Sequence, residues 1–457
     1  MTSGAQAQYE ARRAALAEGY AAVAPGERVR LAKSTSNLFR TRRRSSAPGL
    51  DVRGLDGVLD VDPAARTADV QGMTTYEHLV DATLPHGLMP LVVPQLKTIT
   101  LGGAVTGLGV ESSSFRNGLV HESVREIEVL TGDGRIVVAR PDNEHRALFH
   151  GFPNSYGTLG YALRLTIELE PVRPYVRLRH VPFTDRTPYF AAMAEVCATG
   201  SHDGEPVDFV DGTAFGRDAL YLTLGTLVES APAVSDYTGM RIYYRSVEER
   251  REDHLTVRDY LWRWDTDWFW CSRAFGAQNP RVRRLVPRRW LRSDAYWKVL
   301  ALERRFGPKH RLDRLRGRPA QEAVVQDVEV PIERAAEFLD FFTREVPISP
   351  IWVCPLRQRD PGARWDLYAL DPGTTYVNFG FWSTVALANG EPDGTHNRRI
   401  ERVVEELGGR KSLYSTSFYE SDEFWRLYNG PVYGELKGAY DPDGRLLDLY
   451  EKCVECA

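Results

Sequence analysis

The 457-residue chain reads as an α+β protein, an N-terminal unit of two α/β halves followed by a larger strand-and-helix cap. Three observations carry that reading. Strands and helices alternate up to about residue 95, the pattern of a small α/β layer. A Gly132-Asp133-Gly134 turn separates two alternating runs, 124–130 and 135–139, which marks a hairpin. Pro171 and Pro174 then break the chain, and the pattern beyond them changes to mixed strand and helix. The length also exceeds what one core usually supports, so two or three domains sharing an interface are expected. The boundaries drawn on these signals are 1–174 for the N-terminal unit (halves 1–95 and 96–174), 175–410 for the cap, and 411–457 for a C-terminal segment.

In chain order, residues 8–24 carry alanine and leucine at helical spacing. A short strand at 28–31 runs into the polar turn Lys33-Ser34-Thr35-Ser36-Asn37. Strands at 58–61 and 68–71 flank an Asp62-Pro63 turn, a helix follows at 75–84, and 89–93 is a further strand. Residues 101–118, LGGAVTGLGVESSSFRNG, read as a glycine-rich loop with five glycines and four Ser/Thr. After the hairpin, the turn Ser155-Tyr156-Gly157-Thr158-Leu159-Gly160 precedes an alternating strand at 161–170. Strands resume at 324–330, 351–355 and 375–381, a helix is expected at 397–407, and 424–450 is rich in aromatics.

Net charge is −4, which excludes no partner by itself, but the local distribution is uneven. Six of the ten tryptophans fall between Trp262 and Trp297, and fourteen Lys/Arg against three acids lie between Arg281 and Arg318. No apolar leader and no run of about 18 apolar residues is present, so a cytoplasmic protein is expected. Cys453-x-x-Cys456 has no second Cys or His pair to complete a zinc site, so no metal is expected and both read as reduced thiols.

Chemistry enters with the glycines. A loop of that composition lets backbone approach a pyrophosphate and offers amides and hydroxyls to its oxygens. GGAVTGLG is neither the GxGxxG fingerprint nor a P-loop, so the argument rests on three polar turns in series, at 33–37, 101–118 and 155–160.

TLGGAVTGLGVESS, then EIEVLTGDG, then LFHGFPNSYGTLG, resemble the flavin-binding half of the vanillyl-alcohol-oxidase, or PCMH-type, FAD family. Within that family the chain is similar to the Diminuto, or 24-dehydrocholesterol reductase, branch and to bacterial reductases of methylene-fatty-acyl phospholipids. The run Gly109, Glu111, Ser112, Ser113, Ser114, Gly118 carries that likeness, together with VVQD at 324–327 and PIWVCP at 350–355. The resemblance implies a PCMH-type FAD-binding domain of two subdomains and an α+β substrate domain over the flavin ring. It implies cofactor contacts from Ser34, Thr35, Ser36 and Asn37, from Thr100, Gly102, Gly103, Thr106, Gly107, Gly109, Glu111, Ser112, Ser113 and Gly118, and from Gly157, Thr158 and Gly160. Neither His nor Cys occurs in 33–37, and His121 lies past the glycines, so the FAD is expected to be non-covalent.

Reducing an isolated alkene requires a proton donor, because no carbonyl accepts the charge that hydride addition creates, and it benefits from aromatic faces that stabilise cationic character. The candidates are Glu111, Tyr414, Tyr433, Glu435 and Lys437, with Trp352, Cys354 and Arg357 as pocket wall. NADPH is the expected reductant. An Arg- and Ala-rich composition with few lysines points to a high-GC bacterium, which favours an acyl chain over a sterol, with a methyltransferase or a separate reductase as a candidate partner.

The Trp- and Arg-rich stretch has two readings, a core between domains or a peripheral contact with an anionic membrane through 262–318, at the inner face of the cell membrane. Nucleic acid is not expected. Two further functions share the same fold: a dehydrogenase or oxidase of a sugar alcohol or aldonolactone, and a lipid-binding protein whose FAD is structural.

Overall fold

The computed structural model describes residues 2–33, 39–40, 46–306, 319–388 and 390–456. Two sheets organise them. In the first, strands run in the order Val58–Asp62, Thr67–Gln71, Tyr161–Pro171, Val124–Leu130 and Ile136–Ala139, and Leu88–Pro90 pairs with the far end of Tyr161–Pro171. The expected hairpin forms, with Gly134 at φ 85°, the left-handed conformation its turn requires. Thr75 caps the Tyr76–Thr83 helix by accepting from the His78 amide (3.3 Å), and Tyr76, Leu79, Val80 and Thr83 turn inward at helical spacing.

The glycine stretch is not the open loop its composition suggests. Leu101–Gly107 is a helix capped by Thr100, whose hydroxyl accepts from the Gly103 amide at 3.3 Å. Glycine is needed at its start because the helix crosses the backbone at Gly72. Gly102 N donates to Gly72 O (2.9 Å), and a Cβ at Gly102 would stand 2.7 Å from that oxygen. Leu108, at φ 67°, ends the helix.

The second sheet is antiparallel throughout, in the order Glu252–Thr256, Tyr175–Phe183, Ala219–Val228, Phe209–Gly216, Ile351–Leu356, Tyr376–Ala386, Gln321–Pro331 and Arg410–Lys411. One face packs helices Arg186–Thr199, Ile332–Glu345 and Thr395–Glu406 through a core that includes Val324, Val328, Phe379, Phe381, Phe338 and Ile400. The opposite face carries Val176, Leu178, Trp352, Cys354 and Trp382, which share one core with Leu101, Val105 and Leu165 of the N-terminal unit.

The tryptophan run divides. Trp262, Trp264, Trp268 and Trp270 are buried, Trp264 stacks on Phe269 (4.9 Å, 21°), and Trp270 lies 5.4 Å from Trp382. Trp297 is half-buried and Trp290 is exposed. At the C-terminus, the Gly430–Tyr440 helix packs on the N-terminal unit, where Lys437 Nζ donates to Thr158 O (2.9 Å) and Asp133 N donates to Tyr440 O (3.1 Å). No described helix is long and apolar enough to cross a membrane.

Candidate active site

A cavity of about 750 Å³ opens between the two sheets, within the size range of small-molecule and cofactor sites. Thr100, Gly102, Gly103, Thr106, Gly107, Gly109, Gly157 and Gly160, all among the expected cofactor contacts, line it. Ser34, Thr35, Ser36 and Asn37 lie outside the described residues. Glu111, Ser112, Ser113, Gly118 and Thr158 are not in its lining, because they hold loop geometry instead. Ser113 Oγ donates to Leu91 O (2.7 Å), Thr158 Oγ1 donates to Ser155 O (2.7 Å), and Gly118, at φ 71°, abuts the Glu122 carboxylate.

The glycines act differently from the phosphate nest expected of them. The amides of Leu101, Gly102 and Gly103 already donate, to Thr74 O, Gly72 O and Thr100 Oγ1. What remains is a wall without side chains, and a Cβ at Gly103 would meet nothing but Thr100 Oγ1 (2.8 Å). Positive charge comes from elsewhere in the lining: Arg28, Arg30, Lys33, Arg40 and Lys452. Arg40 lies over the Tyr156 ring (4.8 Å), its Nη1 reaches Cys453 Sγ (3.3 Å), and its buried Nε has no protein partner. Lys452 Nζ donates to Tyr156 O (2.5 Å). Gln95, also in the lining, buries both side-chain amide atoms without a partner. A bare wall, basic side chains and an orphaned amide fit a dinucleotide with a pyrophosphate and a hydrogen-bonding ring, which describes FAD.

The lining is also aromatic and acidic. Trp268, Phe269, Trp352, Trp382 and Tyr414 belong to it. The Phe269 and Trp382 rings lie 4.3 Å apart, and Trp382 Nε1 donates to Tyr414 OH (2.8 Å). Among them stand Asp327 and Glu329, which the sequence reading did not single out as acids. In the register of Gln321–Pro331 on Tyr376–Ala386, Val325 faces Trp382, Asp327 faces Gly380 and Glu329 faces Asn378. Alternation places the two carboxyls on one face, opposite Val324, Val328 and Val330. A Cβ at Gly380 would lie 2.6 Å from both Asp327 Oδ1 and the Trp382 ring, so the missing side chain is what lets the acid and the indole share that spot.

Asp327 Oδ1 is buried with no hydrogen-bond partner. Burial pushes its carboxyl up to about 7, with the Asn378 side chain opposing the rise. Burial also raises Glu329, to about 8, with the neighbouring Asp327 charge adding to the rise against a hydrogen bond from Tyr368 OH.

The five candidate proton donors scatter. Tyr414 lines the cavity. Tyr433 stacks on Trp425 (4.9 Å) away from it, Glu435 is exposed, and Lys437 is bound to three backbone carbonyls and Asp441, so the 433–437 segment clasps the N-terminal unit and leaves the cavity to others. Glu111 Oε2 accepts from Ser112 N (2.7 Å) and Ser112 Oγ (2.6 Å) and lies 3.7 Å from Arg263, which also binds Asp211 (2.9 Å). It therefore caps local donors and does not face the cavity. Asp211 in turn accepts from Trp352 Nε1 (3.1 Å), linking this cluster to a cavity wall. Of the three expected wall residues only Trp352 reaches the lining. Cys354 lies two places along the strand, its Sγ near Val210 O, and the Arg357 amide donates to Ser114 O. His121 is buried edge-on to Trp365, outside the lining.

Fold and cavity together fit an α+β protein whose N-terminal unit resembles a PCMH-type FAD-binding domain, with a second, cap sheet across the cavity. In agreement, the model of the FAD binding domain family matches residues 17–140. Over 88% of this chain and 76% of theirs, the Delta(24)-sterol reductases of Arabidopsis thaliana and Homo sapiens are similar to it, at 25% and 26% identity. Cytokinin dehydrogenase 10 of Oryza sativa is similar over 41% of this chain, at 26% identity. The likeness that runs through the cap as well as the FAD half is thus to the Delta(24)-sterol reductase, or Diminuto, branch.

Proposed function

We propose that the chain is an FAD-dependent reductase that saturates an isolated carbon–carbon double bond of a lipid, with Asp327 delivering the proton. The observation that carries this reading is the buried Asp327 carboxyl, its Oδ1 without a partner, set beside Trp382 in the same cavity as the glycine wall. Bound and reduced, FAD supplies hydride. The protein's part is the rest. Asp327 gives its proton to one alkene carbon while the other takes the hydride, and the cationic character between the two events faces the rings of Trp382, Phe269 and Trp352. The Asp327 carboxylate recovers a proton through Glu329, its neighbour on the same face.

NADPH is the reductant in this scheme, and the substrate is a methylene-bearing acyl chain of a phospholipid, ahead of a sterol side chain. A methyltransferase that creates the methylene group would act just before it, at the inner face of the cell membrane. The polyol oxidase reading is less well supported, because Trp268, Phe269, Trp352 and Trp382 wall the cavity beside Asp327 where a polyol requires several hydrogen-bond partners.

The test is anaerobic. Enzyme bleached by NADPH is mixed with phospholipid bearing a methylene-branched chain, and in parallel with a sterol unsaturated in its side chain. The reading expects the flavin colour to return with one of them and the lipid to gain two hydrogens by mass. Colour returning only with oxygen, or bleaching by a polyol in place of NADPH, would contradict it.

A further inference from the structure

Among the described residues, six large apolar side chains are exposed: Val234, Met240, Val282, Leu285, Trp290 and Val299. Four of them fall between 282 and 299, and Leu285, 84% exposed, is the most prominent. Met240 adjoins the same patch, since the preceding Gly239 carbonyl accepts from Arg283 Nε (2.6 Å). This concentration is not the scatter normally found on a surface.

The patch is rigidly mounted. Arg283 is buried within the Pro280–Leu285 helix, paired with Asp267 through both terminal nitrogens (2.6 and 3.0 Å). That anchor turns Val282, Leu285, Arg281 and Arg284 outward. Arg288, Arg289 and Lys298 are exposed beside them, and the only acidic residue between 281 and 299 is Asp294, bound to Arg292 (3.1 Å). Apolar tips interleaved with cations, and a tryptophan among them, are the chemistry of an interface with anionic lipid headgroups. A protein partner of matching shape would also need acidic side chains in register, whereas a bilayer offers both the charge and the apolar layer beneath it.

The patch also adjoins the cavity. Trp290 points out, while Leu291, the next residue, is buried in a small core with Trp268 and Tyr296. Trp268, Ser293 and Trp297 all line the cavity, and Lys298 and Val299, the residues after Trp297, are exposed. Along the Ser293–Phe306 helix, the wall residue Trp297 is thus followed directly by the exposed Lys298 and Val299.

We infer that residues 281–299 form a docking surface for an anionic phospholipid bilayer, with Leu285 and Trp290 inserted at headgroup depth and the cavity opened to the membrane beside Trp297. The purpose of this surface rests on the lipid substrate proposed above; its test does not. The full chain loaded with FAD is floated with phosphatidylglycerol vesicles and with phosphatidylcholine vesicles. Co-flotation with the anionic vesicles at low salt is expected, weakened by salt, and reduced about tenfold in Leu285→Glu/Trp290→Glu and in Arg284→Glu/Arg289→Glu. Both variants should keep bound FAD and bleach with NADPH as the parent does, which excludes misfolding as the cause of lost binding. No flotation of the parent chain, or equal flotation of both variants, overturns the inference. Flotation without any alkene turnover leaves the docking surface standing and removes the proposed substrate, and turnover in detergent micelles without flotation does the reverse.

Discussion

Two groups of buried carboxyls stand near the cavity, and they differ in whether a cation comes with them. Glu111 and Asp211 share Arg263, whose guanidinium also lies over the Tyr260 ring at 4.0 Å. Asp327 and Glu329 share a strand face, with a Tyr368 hydroxyl on Glu329 and an unpartnered oxygen on Asp327. Burial raises Glu111 to about 7, as it does Asp327, so the shift alone does not separate them. Position and counter-charge do. A carboxyl with a built-in cation, outside the cavity, holds the N-terminal unit, the cap and Trp352 in place. A carboxyl with no cation, facing the cavity, keeps a proton available.

The largest effect that could break this contrast is on stability. Arg263→Leu strands Glu111 and Asp211 without their cation and should cost about 3–5 kcal/mol in urea unfolding, because the charges left behind stay buried. Asp327→Asn should leave unfolding within about 1 kcal/mol of the parent, since no ion pair is broken. If both variants lost stability equally, the two groups would be the same kind of structure.

Turnover should then divide the groups in the opposite sense. Glu329→Gln should slow alkene reduction about tenfold by interrupting proton return, with NADPH bleaching unchanged. Gly380→Ala sets a methyl 2.6 Å from Asp327 Oδ1 and the Trp382 ring, so one of them must move. A loss of about tenfold in turnover with little change in KM is expected, because misplacement of a reacting group acts on the chemical step.

The smallest effect is in pH. Asp327 and Glu329 are raised to about 7 and about 8, chiefly by burial, whereas an unfolded carboxyl titrates at about 4. The native state therefore binds more protons than the unfolded chain across this window. The pair's contribution to stability is complete below about pH 4 and is lost as pH rises through 7 to 8. The rate of alkene reduction should follow the same protons, level below about pH 7 and falling above it, with apparent values belonging to the pair. A rate that rises through this range would assign the proton to another group.

Much of the first sheet was legible in the sequence, because its signals are local. The Gly132-Asp133-Gly134 turn sets a hairpin, and alternation marks Tyr161–Pro171. The site was legible chiefly where it is backbone, in the glycines and Thr100, with Tyr414 and Trp352 the named candidate side chains that reach the lining. The C-terminal candidates failed for a reason that periodicity could have exposed. Tyr433, Leu436 and Tyr440 are the buried residues of their helix, at i, i+3 and i+7, which leaves Glu435 on the outer face. VVQDVEV carried a usable signal too, since residues 327 and 329 must share a strand face. That this face meets a cavity depends on a pairing with Tyr376–Ala386 across fifty residues, which no local pattern encodes. The tryptophans were ambiguous for the same reason. Trp264 and Trp270 are core because Phe269 and Trp382 reach them, while Trp290 finds no such neighbour and stays exposed.

The central claim, that Asp327 supplies the proton, is tested most directly by single turnover. Asp327→Asn, loaded with FAD and bleached by NADPH without oxygen, is mixed with the alkene lipid, and the return of flavin colour is timed against the parent. The account predicts return slowed by about 100-fold or more, with the bleaching step unchanged. Return at the parent's rate would place the proton donor elsewhere in the cavity.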